Sequence, residues 1–180
     1  DNDLLTSVAG ILNGSTNYIL THIFENNKAF DVALRDAQQL GYAESDPRLD
    51  VMALDPKYKL LIILVHAFGI LLKPEDIFNY GIQNLKEADI RYAREKDARI
   101  RLIARCAKAN NQVFAYVMPQ IVPESDTLNK VNYEYNGLLL KGAFAEHQFF
   151  MGKGAGGNAT GSAVLSDISA LTYDYRYEYK

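Results

Sequence analysis

The sequence predicts an α+β fold in which helices pack on one face of a mostly antiparallel or mixed sheet. Two observations predict it. Residues up to about 98 carry the apolar spacing of helices, and the residues after them form short apolar runs between turn signals. Helices followed by strands, without a regular alternation of the two, favour this class. With 180 residues, 48% of them hydrophobic, the chain has the size and apolar content of one folded domain.

Two helices are predicted at the start of the chain. The first covers about residues 11–24, where apolar side chains recur with a helical period, and Asn26-Asn27 ends it. The second has Asp31 as its N-cap, continues over residues 32–40 and is closed by Gly41.

Two further helices are predicted from their entry signals. Asp55 is expected to be the N-cap of the third, with Pro56 as the first helical residue, and the apolar stretch 57–72 is long enough for a buried helix. The fourth is expected over about residues 162–171, after a glycine-rich loop at 152–161.

Strands are predicted where short apolar runs are bounded by Asn, Pro and Gly. These runs are residues 100–104, 113–117, 138–144 and 147–151. The pairs Asn110-Asn111 and Asn136-Gly137 are typical turn signals.

Charge and hydrophobicity exclude two classes of partner. The net charge is −3, from 19 Lys and Arg against 22 Asp and Glu, so we expect no nucleic-acid partner. The longest apolar run, residues 60–65, is far shorter than the roughly 20 residues that span a bilayer. No basic-then-apolar leader opens the chain. We therefore expect no membrane partner.

The single cysteine, Cys106, cannot form an internal disulfide and fits a reducing compartment, so we expect a cytoplasmic location. The histidines show no metal-ligand spacing, and no metal site is predicted within the chain. The chain begins at Asp1 and stops without a helix or turn signal, so we expect it to be a piece of a longer protein.

An acidic segment directly before the apolar helix is the most informative part of the sequence. Residues 41–50 read GYAESDPRLD, and Asp55 and Lys59 follow, four positions apart and therefore on one helix face. A lysine at the border of an apolar helix either extends to water or is partly buried beside a carboxylate, where it can transfer protons. The alternative is that Asp55 is a cap and that Lys59 makes a surface ion pair in a solvated region.

Two other segments combine small and polar residues. In residues 152–161, GKGAGGNATG, the glycines match G-x-G-x-x-G, but too little chain follows for a complete dinucleotide fold. The loop closes over a nucleotide held elsewhere or is a flexible strand–helix turn. In residues 10–19, GILNGSTNYI, capping of a helix by Asn13, Ser15 or Thr16 is an alternative to ligand binding.

Together the three segments resemble the homoserine dehydrogenases, in the same order and at similar spacing over nearly the whole chain. The resemblance implies the substrate-binding and dimerisation domain of an enzyme that reversibly oxidises L-homoserine to L-aspartate 4-semialdehyde with NADP or NAD. This reaction belongs to threonine, methionine and isoleucine biosynthesis. The resemblance implies one domain over residues 1–180. An alternative is that residues from about 157 onward belong structurally to the nucleotide-binding domain, which precedes this segment in the family. A homodimer is the implied assembly.

The resemblance also assigns roles to matched residues. Glu44 and Asp50 would hold the ammonium group of the substrate, because an amino-acid substrate needs carboxylates to fix its orientation. Lys59 would be the catalytic lysine, removing the hydroxyl proton or polarising the carbonyl in reverse, and Asp55 would orient it.

The other matched positions would complete the site. Tyr42 and Ser15 would line the substrate pocket. Three positions of the glycine loop would lie near the cofactor: Gly154, Ala155 and Gly156.

Some positions depart from the family pattern. Ala53 stands where the family usually has Gly, Ala159 replaces a frequent Pro, and Lys57 places a second charge near Lys59 in sequence. A second catalytic lysine and an alkali-metal site of the family would lie upstream of Asp1. We therefore expect this chain alone to be nearly inactive. Two other readings stay open: a non-catalytic dimerisation domain, and a dehydrogenase of similar layout that acts on another amino acid or a polyol.

Overall fold

The computed structural model describes residues 4–110, 112–154 and 157–173. The first part of the chain contains a strand, four helices and a short second strand. These are β1 (Leu5–Ile11), α1 (Gly14–Asn26), α2 (Phe30–Gln39), α3 (Arg48–Val51), α4 (Leu54–Phe68) and, after a 3-10 turn at Pro74–Asp76, β2 (Phe78–Asn79).

The second part adds a helix, four strands and a last helix. These are α5 (Glu87–Glu95), β3 (Ala98–Ala109), β4 (Gln112–Pro123), β5 (Tyr135–Gly142), β6 (His147–Lys153) and α6 (Gly157–Leu171). A 3-10 turn at Thr127–Lys130 connects β4 to β5.

The strands form one sheet in the order β2-β4-β3-β1-β5-β6. Neighbouring strands are antiparallel except β2 and β4, which run parallel, so the sheet is mixed. Helices α1, α4 and α5 pack on the face that carries Val8, Cys106 and Val117, and α2 packs on α1. The predicted α+β class is confirmed.

The opposite face of the sheet is largely uncovered in the described structure. The 3-10 turn after β4 packs Leu128, together with Val131, against Ile11 and Ile103 at one end. Elsewhere, cross-strand pairing aligns side chains in rows on this face, since paired residues of neighbouring strands point the same way. One such row runs through Tyr116, Arg105, Ala9, Leu139 and Phe149.

A buried arginine joins α1 to the sheet. The guanidinium of Arg101, in β3, donates to Asn17 Oδ1 and Thr21 Oγ1 of α1, both at 3.0 Å. It also donates to the backbone carbonyl of Asn129 at 2.9 Å and to Asn132 Oδ1 at 2.5 Å. Burial lowers the pKa of Arg101 to about 10. These bonds fix the position of α1, whose first turn carries the site described below.

β1 and β2 depart from the helical prediction for residues up to about 98. β1 is a central strand, between β3 and β5. Its sequence, LTSVAGI, lacks the alternation of apolar and polar residues that marks a strand with one solvent-exposed face, because both faces of β1 are at least partly covered. The N-cap prediction at Asp31 is also wrong: α2 begins at Phe30, and the Asp31 carboxylate pairs with Arg35 one turn later.

The start and the end of α4 differ from the prediction. Asp55 is not the N-cap but lies in the first turn, after Ala53. Ala53 has φ 61 and ψ 30, a left-handed conformation that favours glycine and so accounts for the glycine usual here in the resembled family. Gly69, with φ 66, ends the helix at Phe68 instead of residue 72.

The remaining corrections concern turns. The turn predicted at Asn136-Gly137 is wrong, because both residues are paired within β5. The turn at Asn110 is confirmed, with φ 49, and Asn111 lies outside the described residues. α6 begins at Gly157, earlier than predicted, so the described part of the glycine-rich segment includes the end of β6 and the start of α6. Among the described residues, no helix combines the length and hydrophobicity needed to cross a membrane.

Candidate active site

The turn between β1 and α1 is held by an asparagine. Asn13 Oδ1 accepts hydrogen bonds from the backbone N–H of Thr16 at 2.8 Å and from Thr16 Oγ1 at 2.9 Å. This is N-cap geometry, so the capping predicted for this segment is confirmed at Asn13. The residue is only 5% exposed, and the cap fixes its side chain in one orientation.

The other end of the same amide reaches two carboxylates. Asn13 Nδ2 donates to Asp50 Oδ1 at 2.7 Å and to Asp55 Oδ2 at 2.9 Å. Asp50 belongs to the single-turn helix α3, and Asp55 belongs to the first turn of α4. The turn before α1 thus brings together side chains from two later helices.

Lys59 completes the cluster from the next turn of α4. Its Nζ lies 2.9 Å from Asp55 Oδ2, and it donates to the backbone carbonyl of Leu12 at 3.0 Å. The predicted pairing of Asp55 with Lys59 on one helix face is therefore present. The Lys59 side chain is 45% exposed, so within the described residues it is not desolvated. A pair this exposed contributes about 0–1 kcal/mol to stability, so its main effect is to orient the ammonium group.

The electrostatic environment of Asp50 differs from that of the exposed acids beside it. Burial raises the pKa of Asp50 above its ordinary value, and the nearby charge of Asp55 raises it further. The hydrogen bond from Asn13 and the charge of Lys59 oppose that rise. A carboxylate that is partly buried and lacks a direct ion pair is suited to receive a cationic ligand.

Ser15 and Tyr42 lie beside this cluster. Ser15 Oγ donates a hydrogen bond to the backbone carbonyl of Tyr42, which ties the loop after α2 to the first turn of α1. The Tyr42 ring packs on Tyr18 with ring centres 5.1 Å apart. Tyr42 is thus joined to the first turn of α1 through Ser15 and Tyr18.

The glycine loop follows β6 at the edge of the sheet. A Cβ at Gly154 would lie 2.0 Å from Asn136 Nδ2, so a side chain there would displace Asn136. Lys153 pairs with Glu134 at 3.1 Å and lies over the Tyr135 ring at 5.6 Å. The Glu134 backbone in turn packs against α1, since a Cβ at Gly14 would lie 2.7 Å from the Glu134 carbonyl oxygen. The loop therefore begins beside the first turn of α1.

Comparison with known proteins gives one consistent result. The sequence profile described as homoserine dehydrogenase matches residues 1–169. The chain belongs to the homoserine dehydrogenase family.

Relatives and solved structures agree with that assignment. The homoserine dehydrogenase of Helicobacter pylori is 38% identical over 164 residues, which cover 91% of this chain and 39% of that protein. The crystal structure of a homoserine dehydrogenase from Thiobacillus denitrificans matches with a TM-score of 0.90 at 37% identity, over 94% of this chain and 39% of that one. A hyperthermophilic archaeal homoserine dehydrogenase mutant in complex with NADPH matches with a TM-score of 0.78 at 26% identity, over 97% of this chain and 50% of that one.

Two residues that the homoserine dehydrogenase resemblance singled out lie apart from the cluster. The side chain of Glu44 is exposed in the loop before α3, and only its backbone carbonyl takes part in a described hydrogen bond, from Gln38 Nε2 at 2.9 Å. Lys57 points elsewhere. It is 9% exposed and donates to Asn79 Oδ1 at 2.9 Å, so it is held by β2 and does not share the partners of Lys59.

Only one of the three residues predicted to lie near the cofactor is among the described residues of this homoserine dehydrogenase segment. Gly154 ends up exposed at the end of β6, whereas Ala155 and Gly156 lie outside the described residues. The described residues contain no cluster of His, Cys, Asp or Glu arranged to hold a metal ion.

Sequence reasoning missed two partners of the cluster. Asn13 was expected only as a cap, and its contact with Asp50 spans 37 positions, so no local spacing could show it. The Leu12 partner is a backbone carbonyl. Because every residue has a backbone carbonyl, no sequence pattern marks this one as the partner of Lys59.

Proposed function

We propose that this chain is the substrate-binding and dimerisation part of an NAD(P)-dependent homoserine dehydrogenase that reversibly oxidises L-homoserine to L-aspartate 4-semialdehyde. The observation that carries the proposal is the cluster itself. The ammonium group of Lys59 is fixed by Asp55 and the Leu12 carbonyl, and one asparagine side chain links it to the partly buried Asp50. Family membership supports the same conclusion. The proposal concerns the whole protein, because the chain spans 39% of its relative from Helicobacter pylori.

The roles of the acids follow from the charges of the substrate. L-homoserine carries an ammonium group, and Asp50 offers it a partly buried carboxylate that makes no direct ion pair with any described residue. Glu44 is the second carboxylate in this proposal. Its exposed side chain is free of described hydrogen bonds and can turn toward a bound ammonium group. Ser15 and Tyr42 form the adjoining wall.

Lys59 is the residue we propose for proton transfer. In the reverse direction its ammonium group donates a proton from Nζ to the carbonyl oxygen, and in the oxidation direction the neutral amine, formed by loss of that proton to solvent, accepts the hydroxyl proton of homoserine. Asp55 holds Nζ in place through the exchange. A lysine that is 45% exposed must lose water before it acts as a base, so we propose that the rest of the parent protein covers it.

The hydride acceptor in this proposal is NADP or NAD, which supplies the hydride chemistry when bound. The observation that fits such a group is the exposed backbone of Gly154 at the end of β6. We propose that Gly154, Ala155 and Gly156 contact the nicotinamide side of the cofactor and that the absent nucleotide-binding domain holds the rest. A relative in complex with NADPH favours this class of cofactor without choosing between NADP and NAD.

The domain boundary and the dimer are also proposals. α6 is exposed along its whole described length, including apolar Val164, Leu165 and Ile168, so we propose that residues from 157 onward pack against the nucleotide-binding domain. The uncovered sheet face is a second apolar surface, with Phe114 and Met118 exposed on β4. We propose that it contacts a second copy. A cytoplasmic location is proposed on the reduced, buried thiol of Cys106.

The test is L-homoserine oxidation by the full-length protein, followed through the absorbance of the reduced nicotinamide with NADP and NAD in turn. We expect saturable turnover, and a KM for L-homoserine that rises by about tenfold or more in Glu44→Ala, since a hydrogen-bonded charge pair is lost. A folded parent that neither binds nor oxidises L-homoserine would overturn the proposal. Turnover of a different amino acid or a polyol in the same assay would assign the domain to that substrate.

A further inference from the structure

Both the oxygen and the nitrogen of the Asn13 side-chain amide make hydrogen bonds. Its carbonyl oxygen accepts two hydrogen bonds from Thr16. A flip of the amide would break both bonds and would point the oxygen at the carboxylates of Asp50 and Asp55. Its nitrogen has two hydrogens and two described acceptors, one carboxylate each. The side chain is therefore fully used and buried, in a position between the two acids.

The charges around the two acids explain what this amide does. In the described structure the charged groups facing Asp50 are Asp55 and Lys59, both from α4, and the neutral donor is Asn13, from the turn before α1. Two carboxylates thus share one nearby cation. Like charges at short range disfavour each other's ionised form. The hydrogen bonds from Asn13 hold both carboxylates at once despite that repulsion.

We propose that Asn13 is a positioning residue: by donating to Asp50 and Asp55 at once, it fixes the separation of the two carboxylates and thereby the positions of the substrate ammonium group and of Lys59 Nζ. The proposal rests on the proposed function, which assigns those two acids to substrate and lysine. It goes beyond that function because it gives Asn13 a role that acts through the two acids. Through Asp55 it orients the lysine, and through Asp50 it orients the substrate.

The chemistry of the amide sets the choice of variants. Asn13→Asp keeps the shape and the capping oxygen but replaces the donor with a third carboxylate. Asn13→Ser keeps a good N-cap residue, yet its single short hydroxyl cannot donate to both acids. Asn26→Asp is the matched control, since Asn26 is an exposed asparagine at the other end of α1.

The experiment measures kcat/KM for L-homoserine against pH in the full-length enzyme, together with the KM for NAD(P) and the folded state by circular dichroism. We expect kcat/KM to fall by about 10- to 100-fold in both Asn13 variants, since hydrogen bonds to charged groups are lost. The acidic limb of the profile should move to higher pH in Asn13→Ser, because Asp50 then ionises less readily. The KM for NAD(P) and the Asn26→Asp control should match wild type.

Two results would overturn the proposal. One is a folded Asn13→Ser enzyme whose kcat/KM and pH profile equal those of wild type. The other is a rise in the KM for NAD(P) as large as the fall in kcat/KM for L-homoserine, which would show general damage to the fold. If Asn13→Asp does not fold, Asn13→Ser decides alone. Failure of the proposed function is distinguishable, because the wild-type protein itself would then not oxidise L-homoserine.

Discussion

Asp50 is the residue whose environment most clearly favours function over stability. Its carboxyl is partly buried beside Asp55, and burial raises its pKa. The folded state therefore disfavours the ionised form that is present at neutral pH. Selection for a ligand-binding acid explains such a residue better than selection for stability, because active sites commonly lower the stability of the folded state.

We predict that Asp50→Asn stabilises the protein at neutral pH while raising the KM for L-homoserine by about tenfold or more. Because the carboxyl remains partly solvated, the gain in unfolding free energy is below about 1 kcal/mol. As the pH falls through the raised pKa, the wild-type carboxyl becomes neutral, so the gain shrinks and is absent below the ordinary value of 3.8. Urea unfolding of both proteins at neutral and at mildly acidic pH measures this difference in unfolding free energy.

Asp46→Asn is the control for this prediction. Asp46 is exposed, and its hydrogen bonds with Arg48 hold its pKa below the ordinary value, the opposite direction from Asp50. Its replacement should bring no stabilisation at neutral pH. An Asp50→Asn protein that is less stable than wild type at neutral pH would show that the buried charge is compensated by contacts other than those described.

At the scale of elements, α3 depends on a glycine of the segment between β2 and α5. A Cβ at Gly81 would lie 2.0 Å from the Val51 carbonyl oxygen and 2.5 Å from Met52 Cα. The neighbouring N–H of Ile82 donates to that carbonyl at 2.8 Å. Gly81 therefore fixes the position of the helix that carries Asp50.

We predict that Gly81→Ala lowers the unfolding free energy by about 1–3 kcal/mol, because the added methyl group meets backbone atoms that cannot rotate away. The KM for L-homoserine should rise as α3 shifts. Gly152→Ala is the matched control, since a Cβ there meets open space. Urea unfolding and steady-state kinetics measure both effects, and equal stability of the two variants would contradict the assigned packing.

The elements also show which features a sequence can reveal. Asp55 and Lys59 were predicted to meet because they lie one turn apart on a single helix, and they do. β1 was not predicted, because a central strand whose two faces are both at least partly buried loses the alternation that marks a strand. The contact between Asn13 and Asp50 was out of reach for a different reason: the sheet and α3 must first be placed before those side chains become neighbours.

At the scale of the whole molecule, the sheet has one face covered by helices and one face that is largely open. On the open face the rings of Phe114 and Tyr116 stack with centres 6.3 Å apart, and Met118 and Phe149 are exposed nearby. Monomeric proteins rarely expose contiguous apolar surface of this kind. This is the structural support for the proposed dimer.

We predict that Met118→Glu raises the dimer dissociation constant of the full-length protein by about 100-fold, because it places an unpaired charge in a closed apolar contact. Sedimentation equilibrium measures the constant. Tyr92→Glu, on an exposed aromatic of α5, should leave it unchanged. A Met118→Glu protein that dimerises like wild type would exclude this sheet face as the contact surface.

We propose that one lysine on α4, Lys59, fixed by Asp55 and the Leu12 carbonyl, moves the proton when the parent protein oxidises L-homoserine. The most direct test compares kcat for L-homoserine oxidation in the full-length protein and its Lys59→Ala variant, with folding checked in both. We expect kcat to fall by about 100-fold or more, the range of general acid–base catalysis. A folded Lys59→Ala protein that keeps the wild-type kcat would contradict the claim.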